Sequence, residues 1–103
     1  MIDNKIKGLL GLATKAGKII AGFDAVGECI VKKKAKLVIV SVEASEKTKN
    51  NINYLCGRNE IMCIEYGEIN FLSEAIGKKN KAVICVKDIN FATAIKNILM
   101  EGI

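Results

Sequence analysis

The chain has no histidine, no proline and no tryptophan, and it has little aromatic content, with three phenylalanines and two tyrosines among 103 residues. Histidine is the side chain that most often acts as a general base near neutral pH, so its absence disfavours the common acid–base mechanisms. The nucleophile elbow G-x-S-x-G, the Walker loop and G-x-G-x-x-G are also missing. The sequence therefore predicts that the protein is not an enzyme.

Long apolar runs are missing as well. No stretch approaches the ~18 residues that a membrane-spanning helix needs, and no signal-peptide pattern opens the chain. We therefore expect a cytoplasmic protein without a membrane partner. The cysteines do not form a C-x-x-C pair, so the sequence predicts no metal site and no cofactor. All of them follow or lie within apolar runs, which predicts reduced thiols in the core. They are Cys29, Cys56, Cys63 and Cys85.

Positive charge is abundant and unevenly placed. The formal net charge is +5. Residues 1–36 contain eight lysines and three acidic residues, whereas residues 37–103 contain eight basic and eight acidic residues. Such an asymmetry favours a polyanionic partner. The alternative is that the lysines only solvate helix faces and helix ends, where they are common.

Apolar periodicity predicts nine elements in the order αβαβαβαβα. The predicted helices cover 3–16, 24–34, 46–57, 68–76 and a last segment after Asp88, and the predicted strands cover 18–21, 36–42, 61–66 and 82–86. Strands such as Leu37–Val40 are continuously apolar, as expected when both faces of a sheet are covered. The sequence thus predicts one α/β domain over 1–103, with helices on both faces of a mostly parallel sheet.

One stretch, Gly17–Asp24, suggests a binding site. Ile19–Ala21 is predicted as a short strand, and Gly22 separates it from the next helix. A helix that begins after a glycine exposes free backbone N–H groups and the positive end of its dipole, which together suit a phosphate. The alternative is that Gly22 only makes a turn and that Asp24 only caps the helix.

Three segments carry a resemblance to a known family. They are Gly17-Lys18 followed by Gly22, the strand Ala35–Ile39, and Ala75–Gly77 before the last strand. In these segments, and in element order and length over nearly the whole chain, the sequence resembles the L-seven-Ae/L-thirty-e superfamily of kink-turn-binding ribosomal proteins. Within that superfamily it most resembles the short bacterial members of the YlxQ type.

The resemblance implies both a fold and a partner. The fold is a three-layer α/β/α sandwich around a mixed, mostly parallel four-stranded sheet, with Ile19–Ala21 as the outlying strand. The partner is RNA that contains a kink-turn, in which tandem sheared G·A pairs sharply bend a duplex. The resemblance further implies a ribonucleoprotein role with ribosome-, transcription- or translation-associated RNA. We expect the free protein to be a monomer.

The resemblance also implies where RNA would bind. In the family, the second helix enters the widened groove at its N-terminus, and the loop before the last strand covers a flipped-out base. Gly22 and Phe23 would then supply backbone contacts, Asp24 would bind guanine edges, and lysines would neutralise phosphates or close over the bend. The expected RNA-binding residues are Lys18, Gly22, Phe23, Asp24, Ala25, Glu28, Lys32, Lys33, Lys78 and Lys79.

Four positions depart from the family pattern, which often has a small residue after the glycine, then Asn-Glu, then Lys three positions beyond the Glu. Here these positions hold Phe23, Asp24, Ala25 and Glu28. Asp24 can still accept a hydrogen bond from a guanine N–H, but Glu28 cannot donate one. These departures leave open an alternative function, a protein–protein interaction module that keeps the fold.

Overall fold

The computed structural model describes residues 2–102 and confirms the predicted order of elements. The helices are α1 (Ile2–Lys15), α2 (Phe23–Val31), α3 (Glu46–Arg58), α4 (Ile69–Ala75) and α5 (Ile89–Glu101). The strands are β1 (Ile19–Ala21), β2 (Leu37–Val40), β3 (Cys63–Glu65) and β4 (Val83–Val86). Within the described residues, no helix is long and apolar enough to cross a membrane.

Short-range signals set most helix ends. Ser45 caps α3 by accepting the N–H of Thr48 at 3.1 Å, and Asp88 caps α5 in the same way. Gly17, with φ 72°, ends α1 as predicted. The predicted end of α3 at residue 57, a glycine, is wrong by one residue, because α3 runs on to Arg58 and the left-handed residue is Glu60, with φ 57°.

The four strands form one sheet in the order β1-β4-β2-β3. The sheet is mixed as predicted, and β1 is an edge strand as the resemblance implies. The prediction of a mostly parallel sheet is wrong, since β2 and β3 are parallel whereas β4 runs antiparallel to both β1 and β2. The cause is the short α4: the loop after it returns the chain to the end of the sheet where β3 finishes, so β4 starts there.

Helices cover both faces of the sheet, which confirms the three-layer sandwich. The alternation of side chains along β2 and β4 divides the core in two. Leu37, Ile39, Ile84 and Val86 pack with α1, α4 and α5, whereas Val38, Val40, Val83 and Cys85 pack with α2 and α3. The second half of the core holds the cysteines.

Three of the cysteines are buried as predicted, namely Cys29, Cys56 and Cys85, but Cys63 is only half-buried. The sulfurs of Cys29 and Cys85 lie 3.4 Å apart as hydrogen-bonded thiols. This contact packs the last turn of α2 against β4.

The two ends of the sheet differ in what they carry. At one end β1, β2 and β3 finish and β4 begins, so the starts of α2, α3 and α4 and the loop 77–82 lie together there. We call this the Gly22 end. At the opposite end α1, α2 and α3 finish, β4 ends and α5 begins.

Candidate functional site

Gly22 joins β1 to α2 through a backbone conformation that favours glycine. Its φ is 100° and its ψ is 149°, a region that residues with a Cβ rarely adopt. The Gly22 N–H donates to the carbonyl of Val83 at 2.9 Å, which extends the pairing of β1 with β4. The Gly22 carbonyl accepts the N–H of Val26 at 2.9 Å, which is the first hydrogen bond of α2. One residue therefore ends the strand and begins the helix.

The first turn of α2 is open to solvent. Gly22 occupies the N-cap position, and no side chain caps the helix. Phe23, Asp24 and Ala25 are all exposed, and the Phe23 side chain is 42% exposed although it is apolar. The alternative that Asp24 is only a cap is wrong, because Asp24 lies inside the first turn, where its negative charge favours the positive end of the helix dipole.

Two other helices that begin at the Gly22 end do have side-chain caps. Ser45 caps α3, as described above. Glu43 accepts the N–H of Ile69 at 2.9 Å and so caps α4. Compared with the starts of α3 and α4, the start of α2 therefore stands out, since the N–H groups of its first turn are free to meet a ligand.

Lys81 lies beside Gly22, and the sequence analysis did not single it out. A Cβ placed on Gly22 would lie 3.7 Å from Lys81 Nζ. Ser73, which is 2% exposed, holds the backbone of Lys81: its hydroxyl accepts the Lys81 N–H at 2.8 Å and donates to the Lys81 carbonyl at 3.3 Å. The sequence could have indicated Lys81 through its position alone, because it lies two residues before β4, the strand that pairs with β1.

Comparison with known proteins identifies the family. The model of the ribosomal protein L7Ae/L30e/S12e/Gadd45 family matches residues 4–96. The chain belongs to this family. Two bacterial relatives are both named RNA-binding protein YlxQ. The one from Enterococcus faecium is 37% identical over 98 residues, which cover 95% of this chain and 93% of the relative. The one from Bacillus subtilis (strain 168) is 32% identical over 91 residues, covering 88% and 91%.

Solved structures agree with this L7Ae-type fold. A Bacillus halodurans protein of unknown function superposes with a TM-score of 0.91 at 33% identity, covering 94% of this chain and 98% of that one. The Giardia lamblia 15.5kD RNA binding protein superposes with a TM-score of 0.80 at 17% identity, covering 91% and 83%. At that identity the second match shows the fold alone.

The exposed face of α2 carries an ion pair. Lys32 Nζ lies 2.6 Å from Oε1 of Glu28. This hydrogen bond and the charge of Lys32 lower the pKa of Glu28, and Glu28 raises the pKa of Lys32. Both groups are exposed, so solvent screens the pair and it adds little to stability. Its effect is to hold an acidic side chain and a basic one against each other on this face.

The expected RNA-binding residues of this L7Ae-type chain divide between two places. Gly22, Phe23 and Asp24 lie at the Gly22 end, where Lys78 and Lys79 are exposed in the loop before β4; Ala25 and Glu28 follow on the exposed face of α2. Lys18, Lys32 and Lys33 lie at the opposite end instead. Lys18 precedes β1, so its Cα is about 13 Å from that of Gly22, at 3.3 Å per residue. Lys32 and Lys33 follow the last turn of α2.

The lysines of residues 1–36, which hold the positive excess of the sequence and include the Gly22 turn, do not surround Gly22 in space. Residues that are close in sequence separate here, because β1 and α2 each cross the full length of the domain. The Gly22 end carries no comparable excess of positive charge. Its lysines include Lys47, Lys49, Lys78, Lys79 and Lys81, and its acids include Asp3, Asp24, Glu43, Glu46, Glu65 and Glu68. Any ligand at this end is therefore selected by local geometry more than by net charge.

The described residues offer little for metal chemistry. Within 2–102, no three side chains among cysteine, aspartate and glutamate converge in a way that could hold a metal ion.

Proposed function

We propose that this protein binds structured RNA, and kink-turn RNA in particular, at the Gly22 end. The observation that carries the proposal is the uncapped start of α2, whose free N–H groups lie beside a lysine-bearing loop. Membership of the L7Ae/L30e/S12e/Gadd45 family supports an RNA partner, as do relatives named RNA-binding protein.

Each residue at this end has a role in the proposal. The first N–H groups of α2 and the exposed ring of Phe23 contact the backbone and sugars of the bent strand. Asp24 accepts from guanine N–H groups that a sheared G·A pair presents. Lys81 neutralises a phosphate next to Gly22, and Lys78 and Lys79 close over the bend.

The test is a gel shift with two RNAs. One is a standard kink-turn duplex, and the other is the same duplex with its G·A pairs replaced by Watson–Crick pairs. We expect the protein to bind the kink-turn duplex more tightly. Equal affinity for the two would contradict the kink-turn proposal and leave only non-specific RNA binding. No retention of either RNA at low salt would favour the alternative of a protein-binding module.

A pair of variants locates the interaction. Lys81→Gln removes the charge beside Gly22, whereas Lys5→Gln removes an exposed lysine of α1. The two variants have the same net charge. We expect Lys81→Gln to weaken kink-turn binding several-fold more than Lys5→Gln does. Equal effects would show that only the overall charge matters.

A further inference from the structure

Three lysines form a row across the end of the sheet opposite Gly22. Lys18 precedes β1, Lys87 follows β4 and Lys36 precedes β2. The Lys87 N–H donates to the Lys18 carbonyl at 2.9 Å, and the Lys36 N–H donates to the Val86 carbonyl at 2.8 Å. The pairing of the strands thus continues to these residues, and neighbouring backbones in the row lie ~5 Å apart.

More lysines surround this row. Lys32 and Lys34 line a cavity of about 230 Å³ together with Lys87 and Glu28. Lys33 lines a second cavity with Lys36, and Lys96 lines a third with Lys36. Glu60 also lines the second and the third cavity. We call these seven lysines, in the row and its cavities, the basic end.

The carboxylates nearby do not neutralise the basic end. Glu28 is already engaged by Lys32, and Asp88 accepts the N–H of Phe91 as the cap of α5. Among the ion pairs found in residues 2–102, Lys32 is the one member of the basic end that takes part. Seven lysines against the three nearby carboxylates, Glu28, Glu60 and Asp88, leave a local excess of four positive charges, which is most of the chain's net charge of +5.

We propose that the basic end is a second RNA-binding surface, which binds the phosphate backbone of an RNA duplex independently of the Gly22 end. The proposal rests on the placement of charge and does not depend on kink-turn binding. A protein with both surfaces would hold two RNA segments at opposite ends of a domain whose longest dimension is 31 Å.

The chemistry of the basic end favours a duplex backbone over single-stranded bases. Binding of single strands relies on aromatic side chains that stack on bases. The large apolar side chains exposed around these cavities are Met62 and Ile89, which are not aromatic, and Phe91 nearby is packed into the core. Tyr54, one turn before the end of α3, is exposed, but the Arg58 guanidinium lies over its ring, 5.8 Å from the centroid. Lysines without aromatic partners bind phosphates and read no sequence.

The test compares two triple variants of equal charge. The first, Lys18→Gln with Lys34→Gln and Lys36→Gln, removes exposed lysines of the basic end. The matched control, Lys5→Gln with Lys7→Gln and Lys47→Gln, removes exposed lysines elsewhere. The probe is a straight, fully Watson–Crick RNA duplex, titrated at several salt concentrations.

We expect the first variant to lose most of its salt-dependent affinity. Each lysine–phosphate contact releases about one counterion, so the slope of log affinity against log salt should become shallower by about 2–3. Between about 50 mM and 200 mM salt, the wild type should then lose roughly 40-fold more affinity than the variant. The control should change the slope by less than about one. Equal slopes in the two variants would overturn the proposal.

A second measurement asks whether the two surfaces are separate. The protein is first saturated with kink-turn RNA, and a labelled straight duplex is then added. A ternary complex that the first variant fails to form supports the proposal. Stoichiometric displacement of one RNA by the other would overturn it, because the two ends would then be one site. Binding to poly-glutamate that resists salt better than binding to the duplex would also overturn it, in favour of an acidic protein partner.

Discussion

Replacing Gly22 with alanine tests whether the backbone conformation at the start of α2 depends on glycine. The conformation, φ 100° and ψ 149°, costs a residue with a Cβ about 1–3 kcal/mol. Steric overlap adds little, since the nearest heavy atom to the new Cβ would be Lys81 Nζ at 3.7 Å, the end of a flexible side chain. Alanine also lowers the conformational entropy of the unfolded chain, which raises the unfolding free energy by roughly 0.4–1 kcal/mol.

The net loss of unfolding free energy should therefore be about 1–2 kcal/mol. For a domain of this size, that corresponds to a fall in Tm of roughly 4–15 °C. The matched control is Gly8→Ala. Gly8 is exposed inside α1, has no positive φ, and nothing lies within 4 Å of an added Cβ. Alanine there should raise the unfolding free energy by about 0.5–1 kcal/mol.

Urea unfolding followed by circular dichroism measures both variants, with an unchanged m value as the check that each still unfolds in one step. The two glycines should move stability in opposite directions. If Gly22→Ala were as stable as the wild type while Gly8→Ala was stabilised, the glycine-only conformation at Gly22 would be disproved. An RNA titration of Gly22→Ala then tells whether the same conformation matters for binding.

Three further predictions concern side chains. Glu28→Lys should tighten kink-turn RNA binding by about tenfold, and more at low salt, because it replaces a carboxylate that RNA repels with a hydrogen-bond donor and frees Lys32 from its ion pair. Unchanged or weaker binding at two salt concentrations would show that α2 does not face the RNA. Cys63 should react with a thiol reagent before the other cysteines, because it is half-buried and its contact with the Cys56 thiol lowers its pKa. Mass spectrometry after brief labelling would identify the labelled cysteine, and labelling of a buried cysteine before Cys63 would refute the prediction. Ser73→Ala should lower the unfolding free energy by about 1–3 kcal/mol, because it leaves the N–H of Lys81, at the base of the loop 77–82, without a partner. A loss below about 0.5 kcal/mol in a urea titration would mean that water replaces the hydroxyl.

The sequence was sufficient for those features that depend on neighbours along the chain. Continuous apolar runs located all four strands, and Asp88 located the start of the last helix. Strand direction was not predictable in this way, because an apolar run such as Val83–Val86 is the same whichever way it points. The antiparallel placement of β4 depends on how far α4 carries the chain before the loop turns back.

The candidate site was predicted in part for the same reason. Gly22, Phe23 and Asp24 are consecutive, so they were found together. Lys81 was missed because its nearness to Gly22 arises from strand pairing, and Lys18 was misplaced because four residues of extended chain carry it to the far end of the sheet. Charge counted along a sequence cannot distinguish the two ends of a domain.

The central position of β4 has a consequence for synthesis of the protein. β4 lies between β1 and β2 and pairs with both, yet it is the last strand in the chain. A nascent polypeptide that ends before Val83 can pair β2 with β3, but β1 has no strand to pair with, and Val26 and Ile30 of α2 lack the β4 side chains of their core cluster. Domains made on the ribosome emerge from the N-terminus at a limited rate. Residues 19–31 therefore lack these packing partners until β4 has been made, and the surface that carries Gly22 forms only after β4 has emerged from the ribosome.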